Sequence, residues 1–241
     1  MRLPRLRDFT SARVSLGRAG NSLPTNELLK LQVAQAQARH AVHSKLDTQS
    51  LGLELKRPGA EVVFVRSAAV DRVTYLRRPD LGRRLEAESR RVLLEKAARF
   101  DAVFVIVDGL SALAVQTHAG RMMEASLETL DRADWSFAPF VIVEQGRVAI
   151  GDEIAQLLGA ALCVVLIGER PGLSSSDSLG VYLSWKPQPG MTDADRNCIS
   201  NIRAEGLSYQ AAAHKLAFLM REARRRKLSG VRLKEDANVL E

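Results

Sequence analysis

The sequence has 241 residues, 46% of them hydrophobic and 26% charged, with 35 Lys and Arg against 28 Asp and Glu for a net charge of +7. That balance excludes collagen, coiled coil and wholesale disorder, and it suits one core or two small ones. No apolar run reaches the roughly 20 residues of a membrane-spanning helix, no apolar stretch follows the charged start as a secretory signal requires, and two cysteines cannot form a disulfide framework, so a soluble protein of the reducing cytoplasm is expected.

Residues 1–22 hold Arg2, Arg5, Arg7, Arg13 and Arg18 against Asp8, are broken by Pro4, Gly17 and Gly20, and show no periodicity. They read as an arm that has nothing of its own to bury and either lies on a partner or is disordered. Thr25 is placed to cap a helix running to about Leu46, with Leu31, Ala34, Ala38, Ala41 and Val42 on one face.

From residue 60 short apolar runs alternate with helical patterns. Strands are predicted at 62–66, 103–107, 140–143, 162–167 and 181–185. Several are continuous runs of Val, Ile and Leu, the pattern of a sheet covered on both faces. Between them fall a helix after Pro79 and Asp80 carrying Leu81, Leu85, Val92 and Leu93, one at 122–130, and a short one at 152–158 closed by Gly159. Ser208 is the expected N-cap of a last helix whose buried stripe is Leu216, Leu219, Met220 and Ala223. Strand and helix in this order argue an α/β fold with a doubly wound, mostly parallel sheet preceded by the N-terminal arm and helix. Arg221, Arg224, Arg225, Arg226 and Lys227 near the end of that helix read as a solvated surface or a site for an acidic protein. Nucleic-acid binding is disfavoured, since only 5% of residues are aromatic and no recognition motif is present.

Open parallel sheets bind ligands beyond the carboxyl ends of their strands, which directs attention to the segment after each strand. Asp108, Gly109, Leu110 and Ser111 form a glycine turn with a candidate helix cap. Gly146 and Arg147 come after the 140–143 strand, where an arginine can meet a phosphate or carboxylate. Residues 166–178 are a loop with four serines and the pair Glu169 and Arg170 at the mouth of the most apolar strand. Residues 196–203 set Cys198 among amides, Arg196 and Arg203, with no strand pattern to account for them; flanking guanidiniums would lower the thiol's pKa, but no base is nearby in sequence. The dinucleotide, P-loop and nucleophile-elbow signatures are missing. His40, His43, His118 and His214 do not combine with the cysteines at zinc spacing.

Taken together, ARVSLGRAG (12–20), YLRRPDLGRRL (75–85), DGLS (108–111), GRV (146–148), GDEIAQLLGA (151–160), IGERPGL (167–173), DSLGVY (177–182) and CIS followed by IR within 198–203 resemble the small subunit of ethanolamine ammonia-lyase. Eight motifs in order cover nearly the whole chain. The resemblance implies a Rossmann-like domain, here 48–241, that with the arm and helix at 1–47 packs on a TIM-barrel large subunit. It implies that adenosylcobalamin lies between the two subunits, that ethanolamine and the catalytic residues belong to the large one, and that the enzyme is active only as this hetero-oligomer. Three cofactor contacts carry over by motif: Val148 from GRV, Glu169 from GERPG and Cys198 from CIS. Arg147 and Ser111 are implied neighbours. The histidine-ligating pattern D-x-H-x-x-G is missing, with Gln116 two residues before His118, so cobalamin is expected to keep its own base on cobalt, with no metal ligand from this chain. Some relatives carry a longer N-terminal extension associated with bacterial microcompartments; here the recognisable arm begins at Ala12, which sets encapsulation against the cytoplasm as an open alternative. A free-standing binding module for a phosphorylated ligand, and a basic interaction protein using its charged ends, are the competing readings.

Overall fold

A computed structural model describes residues 9, 12–57, 60–130 and 134–234, so Arg2, Arg5, Arg7 and Asp8 of the arm lie outside the described residues. The elements in chain order are α1 (Thr25–His43), α2 (Thr48–Leu55), β1 (Val62–Arg66), α3 (Arg72–Arg77), α4 (Ala87–Leu94), β2 (Phe100–Val107), α5 (Ala112–Thr129), β3 (Phe140–Glu144), α6 (Ile150–Leu158), β4 (Ala160–Gly168), β5 (Leu179–Trp185), β6 (Asn197–Ile202) and α7 (Tyr209–Arg226). Short 3-10 helices stand at Leu81–Arg83, Asp193–Asp195 and Gly230–Arg232.

The strands form one mixed sheet in the order β1-β3-β2-β4-β5-β6. The first four run parallel, while β5 and β6 run antiparallel to their neighbours. The sheet is covered on both faces where its strands are uniformly apolar. Phe104, Ile106, Val164 and Leu166 join a core with α2, α5 and α7. Val103, Val105, Cys163 and Val165 point the other way, against Leu93 of α4 and Ile150, Ile154 and Leu158 of α6.

Local signals act where the sequence places them. Gly159 ends α6 in the left-handed region at φ 77°, and a Cβ there would come within 2.2 Å of the Ala98 carbonyl oxygen, so only glycine fits. Ser208 Oγ accepts from Ala211 N and Ser111 Oγ from Ala114 N, capping α7 and α5. Thr25 does not cap: it is already the first helical residue, Pro24 precedes it, and α1 stops at His43. Its face of Leu31, Ala34, Ala38, Ala41 and Val42 does turn inward. The predicted 122–130 helix is the second half of α5, and the segment after Asp80 splits into a 3-10 turn and α4. Among the described residues no helix is long and apolar enough to cross a membrane.

Candidate ligand-binding site at the strand ends

Asp108 stands at the carboxyl end of β2 and is 3% exposed. Its Oδ2 accepts from Gln145 N at 2.9 Å and its Oδ1 from Gly146 N at 3.1 Å. The DGLS turn therefore grips the turn after β3 rather than presenting its carboxylate to solvent. Arg72 of α3 closes the arrangement: Nη1 donates to Gly109 O at 2.8 Å and lies 3.7 Å from Asp108, while Nε donates to Val42 O of α1 at 2.7 Å. Burial pushes the Asp108 carboxyl up to about 6, against the pull of the Gln145 N–H, Arg72 and the Gly146 and Gly109 N–H groups. Tyr75 is fully buried, with the guanidiniums of Arg72 and Arg147 at 4.6 and 4.2 Å from its ring centroid. Its hydroxyl finds no partner among the described residues, and its pKa is driven up chiefly by burial.

Glu169 comes directly after β4, as the sequence indicates. Its Oε2 accepts from Ser178 Oγ and, at 3.4 Å, from Asn201 N, while its backbone N–H donates to Ser178 O at 2.9 Å. The side chain lies over Gly180, where a Cβ would come within 2.9 Å of Oε1. The absence of a side chain at Gly180 is what gives the carboxylate its place. The serine-rich loop is held from several sides. Ser111 Oγ donates to Ser176 O at 2.9 Å, Arg13 Nη2 to Leu173 O at 3.3 Å, and His118 sits between Tyr209 Oη at 2.7 Å and Asp177 Oδ2 at 3.4 Å. A cavity of about 240 Å³ opens beside this loop, lined by Gln37, Ser175, Asp177, Arg203 and Glu205.

Cys198 lies within a strand, β6, and not in an irregular segment beyond a strand end as the sequence suggests. It pairs across the sheet with Tyr182 of β5, which in turn pairs with Val165 of β4. Leu179, Val181 and Leu183 enter the core under α5 and α7, so the alternation of β5 sends Gly180, Tyr182 and Ser184 to the α6 face. On that face α6 rests on β4, with Gly151 so close to Val165 and Cys163 that a Cβ would approach them within 2.5 and 2.8 Å. Val148 is one turn before Gly151, whose N–H donates to Val148 O at 3.1 Å. Beyond α6 the sheet face is left open: Cys198 and Ser200 are exposed and Tyr182 is half-buried. Glu169 and Cys198 thus stand beside Tyr182, near enough for both to act on its hydroxyl, while Val148 packs against the core on the same side of the sheet just before α6.

The idea of Cys198 as an activated nucleophile fails. Partial burial of the thiol and the negative charges of Glu169 and Asp193 raise its pKa against the Tyr182 hydrogen bond. Arg196 is elsewhere, buried in a bidentate pair with Asp152 at 2.5 and 2.6 Å and bonded to Ser184 Oγ at 3.0 Å. Tyr182 is a candidate site residue that sequence reasoning missed; burial first, then Cys198 and Glu169, hold its hydroxyl well above the usual phenol range. An aromatic on the half-open face of a strand beside a glycine was the available signal. Among the described residues no cluster of His, Cys, Asp and Glu is built to hold a metal ion.

These features define an α/β protein with an open, hydrogen-bonding surface at the ends of its parallel strands and over its antiparallel edge. The profile of the ethanolamine ammonia-lyase light chain family matches residues 2–234, and the chain belongs to that family. It is 56% identical to the ethanolamine ammonia-lyase small subunit of Pseudomonas paraeruginosa (strain DSM 24068 / PA7) over 238 residues, 97% of this chain and 87% of the relative. Similarity to the small subunit of Azotobacter vinelandii (strain DJ / ATCC BAA-1303) is 57% over the same length, covering 97% of this chain and 88% of the relative. The Pseudomonas fluorescens (strain Pf0-1) small subunit is 56% identical, with 97% and 87% covered.

Proposed function

We propose that this chain is the small subunit of an adenosylcobalamin-dependent ethanolamine ammonia-lyase, which converts ethanolamine to acetaldehyde and ammonia only when joined to a large subunit. The observation that supports this reading best is that Glu169 and the exposed Cys198 stand beside Tyr182, with Val148 on the same side of the sheet just before α6, beside the family membership. That surface suits a corrin. Its rim of neutral amides calls for hydrogen-bond acceptors and its faces call for apolar contact. Glu169 Oε1 accepts nothing from the described residues and is available to an amide N–H, while Val148, the Tyr182 ring and the Cys198 thiol offer a weakly polar wall. When bound, adenosylcobalamin supplies the radical that begins the reaction; this chain's residues orient it and cover one side. In this reading residues 48–241 are the Rossmann-like cobalamin domain, residues 1–47 pack on the large subunit, and Arg147 and Ser111 act indirectly, by holding turns. Ser111 is fully buried and spends its hydroxyl on the cap of α5 and on Ser176.

The test is co-expression with a large subunit from the same family. The complex is expected to bind adenosylcobalamin and deaminate ethanolamine, and this chain alone to do neither. Turnover by the isolated chain, or a complex that binds no cobalamin, overturns the proposal.

A further inference from the structure

We propose that Asp108 is a positioning residue for the cofactor surface: its ionised carboxylate fixes the turn that carries Arg147 and Val148. The inference rests on reading Val148 as a cobalamin-facing residue, and deepens it.

The turn between β3 and α6 does not hold itself. Gln145 is in the left-handed region at φ 57°, a conformation that a non-glycine residue keeps only when its surroundings over-determine it. Gly146 is pressed so closely on the strands that a Cβ would meet Val107 at 2.5 Å and Val143 at 3.0 Å. Both residues aim their N–H groups at Asp108, one at each carboxylate oxygen, at 2.9 and 3.1 Å. Immediately afterwards Arg147 N donates to Gly82 O at 2.8 Å, and Ile150 N to Arg147 O at 2.9 Å begins α6. Val148 is thus placed by a turn whose upstream half is pinned by one side chain.

A buried carboxylate is unusual enough to need a reason. Its charge strengthens both N–H bonds, because a charged acceptor binds an N–H about twice as strongly as a neutral one. A protonated carboxyl weakens both and adds a donor to a pocket already crowded with donors. The charged and titratable groups facing Asp108 are Arg72 and Tyr75 of α3, and Arg147 of the turn lies over the Tyr75 ring behind them. Burial places its titration at about 6, so mild acid neutralises it. Affinity that depends on the ionised form is present above that value and lost as pH falls through it.

The experiment uses the complex with the large subunit and adenosylcobalamin as the probe, titrated across about pH 5 to 8 into wild type and Asp108→Asn, with hydrogen exchange of the 143–149 segment in the cofactor-free complexes. Wild-type affinity is expected to weaken below about pH 6, by up to tenfold per unit. Asp108→Asn, which keeps the shape but offers one neutral acceptor, is expected to bind about tenfold more weakly near neutrality, to lose that pH step and to exchange faster in the segment. A wild type that binds cobalamin with Asp108→Asn matching its affinity and slope overturns the role of Asp108 alone. Absence of cobalamin binding by wild type at every pH overturns the cofactor reading and this role with it, whatever the exchange shows. Where Asp108→Asn does not assemble, wild-type exchange decides: protection of the segment that does not fall near pH 6 overturns the proposal.

Discussion

Replacing Glu169 by glutamine removes the carboxylate's charge and keeps its shape. Oε2 is committed to Ser178 Oγ and to Asn201 N at 3.4 Å, which leaves Oε1 for a ligand. Losing a hydrogen bond to a charged group costs about 1.5 to 3 kcal/mol, so cobalamin affinity of the complex should fall roughly ten- to a hundredfold. A second perturbation reaches the same atom from the other side. In Gly180→Ala the new Cβ lies 2.9 Å from Oε1, 3.2 Å from Cγ and 3.4 Å from Cδ, so the carboxylate must swing away. Gly180 is not among the glycines with positive φ, and the neighbour that must move is a flexible side chain, so the strand itself should tolerate alanine. Titration of adenosylcobalamin into each complex, with a thermal melt of each, reads both effects. Both variants should lose affinity while melting near wild type. Affinity retained within twofold in both, with the Glu169→Gln melt lowered, would mean that Glu169 serves only to tie Ser178 and Asn201 into the hairpin.

Arg196→Met leaves Asp152, 1% exposed, buried without its partner and should cost about 3 to 5 kcal/mol, part of which Arg196→Met with Asp152→Leu should restore; denaturant melts of the three chains decide, and an unimproved double variant refutes the account. Asp108 bears on stability with the opposite sign to its positioning role. Its folded pKa of about 6 stands above the ordinary 3.8, so the folded state holds the proton more tightly and its contribution falls by about 3 kcal/mol as pH rises through that window. The stability gap between wild type and Asp108→Asn should shift by that amount between about pH 3 and neutrality in denaturant titrations, and a constant gap contradicts the burial argument. Ser208→Ala should cost about 1 kcal/mol through loss of the cap on Ala211 N, measured as a lower denaturation midpoint with an unchanged slope.

The sequence determined by itself what short-range physics enforces. The apolar runs of β3 and β4 are visible because strands covered on both faces must be apolar throughout, and with β1, whose burial alternates, they fall within a residue or two of their observed ends. Gly159 and Ser208 mark helix ends because backbone conformation and orphan N–H groups are local matters. The motifs also single out Val148, Glu169 and Cys198, but not what places them. Strand β6 escaped because it is an edge strand with one open face and a break in register near Ser200 and Asn201, so its residues neither alternate cleanly nor run apolar. The reversal of β5 and the order β1-β3-β2-β4 leave no local trace, because strand direction is decided by pairing between distant segments. Only the tertiary structure sets Tyr182 between Glu169 and Cys198 and turns Arg196 inward to Asp152, 44 residues away. Only it spends the Asp108 carboxylate on two backbone N–H groups 37 and 38 residues downstream, since burial of a polar group is satisfied by whatever the fold brings near and not by what the chain places beside it.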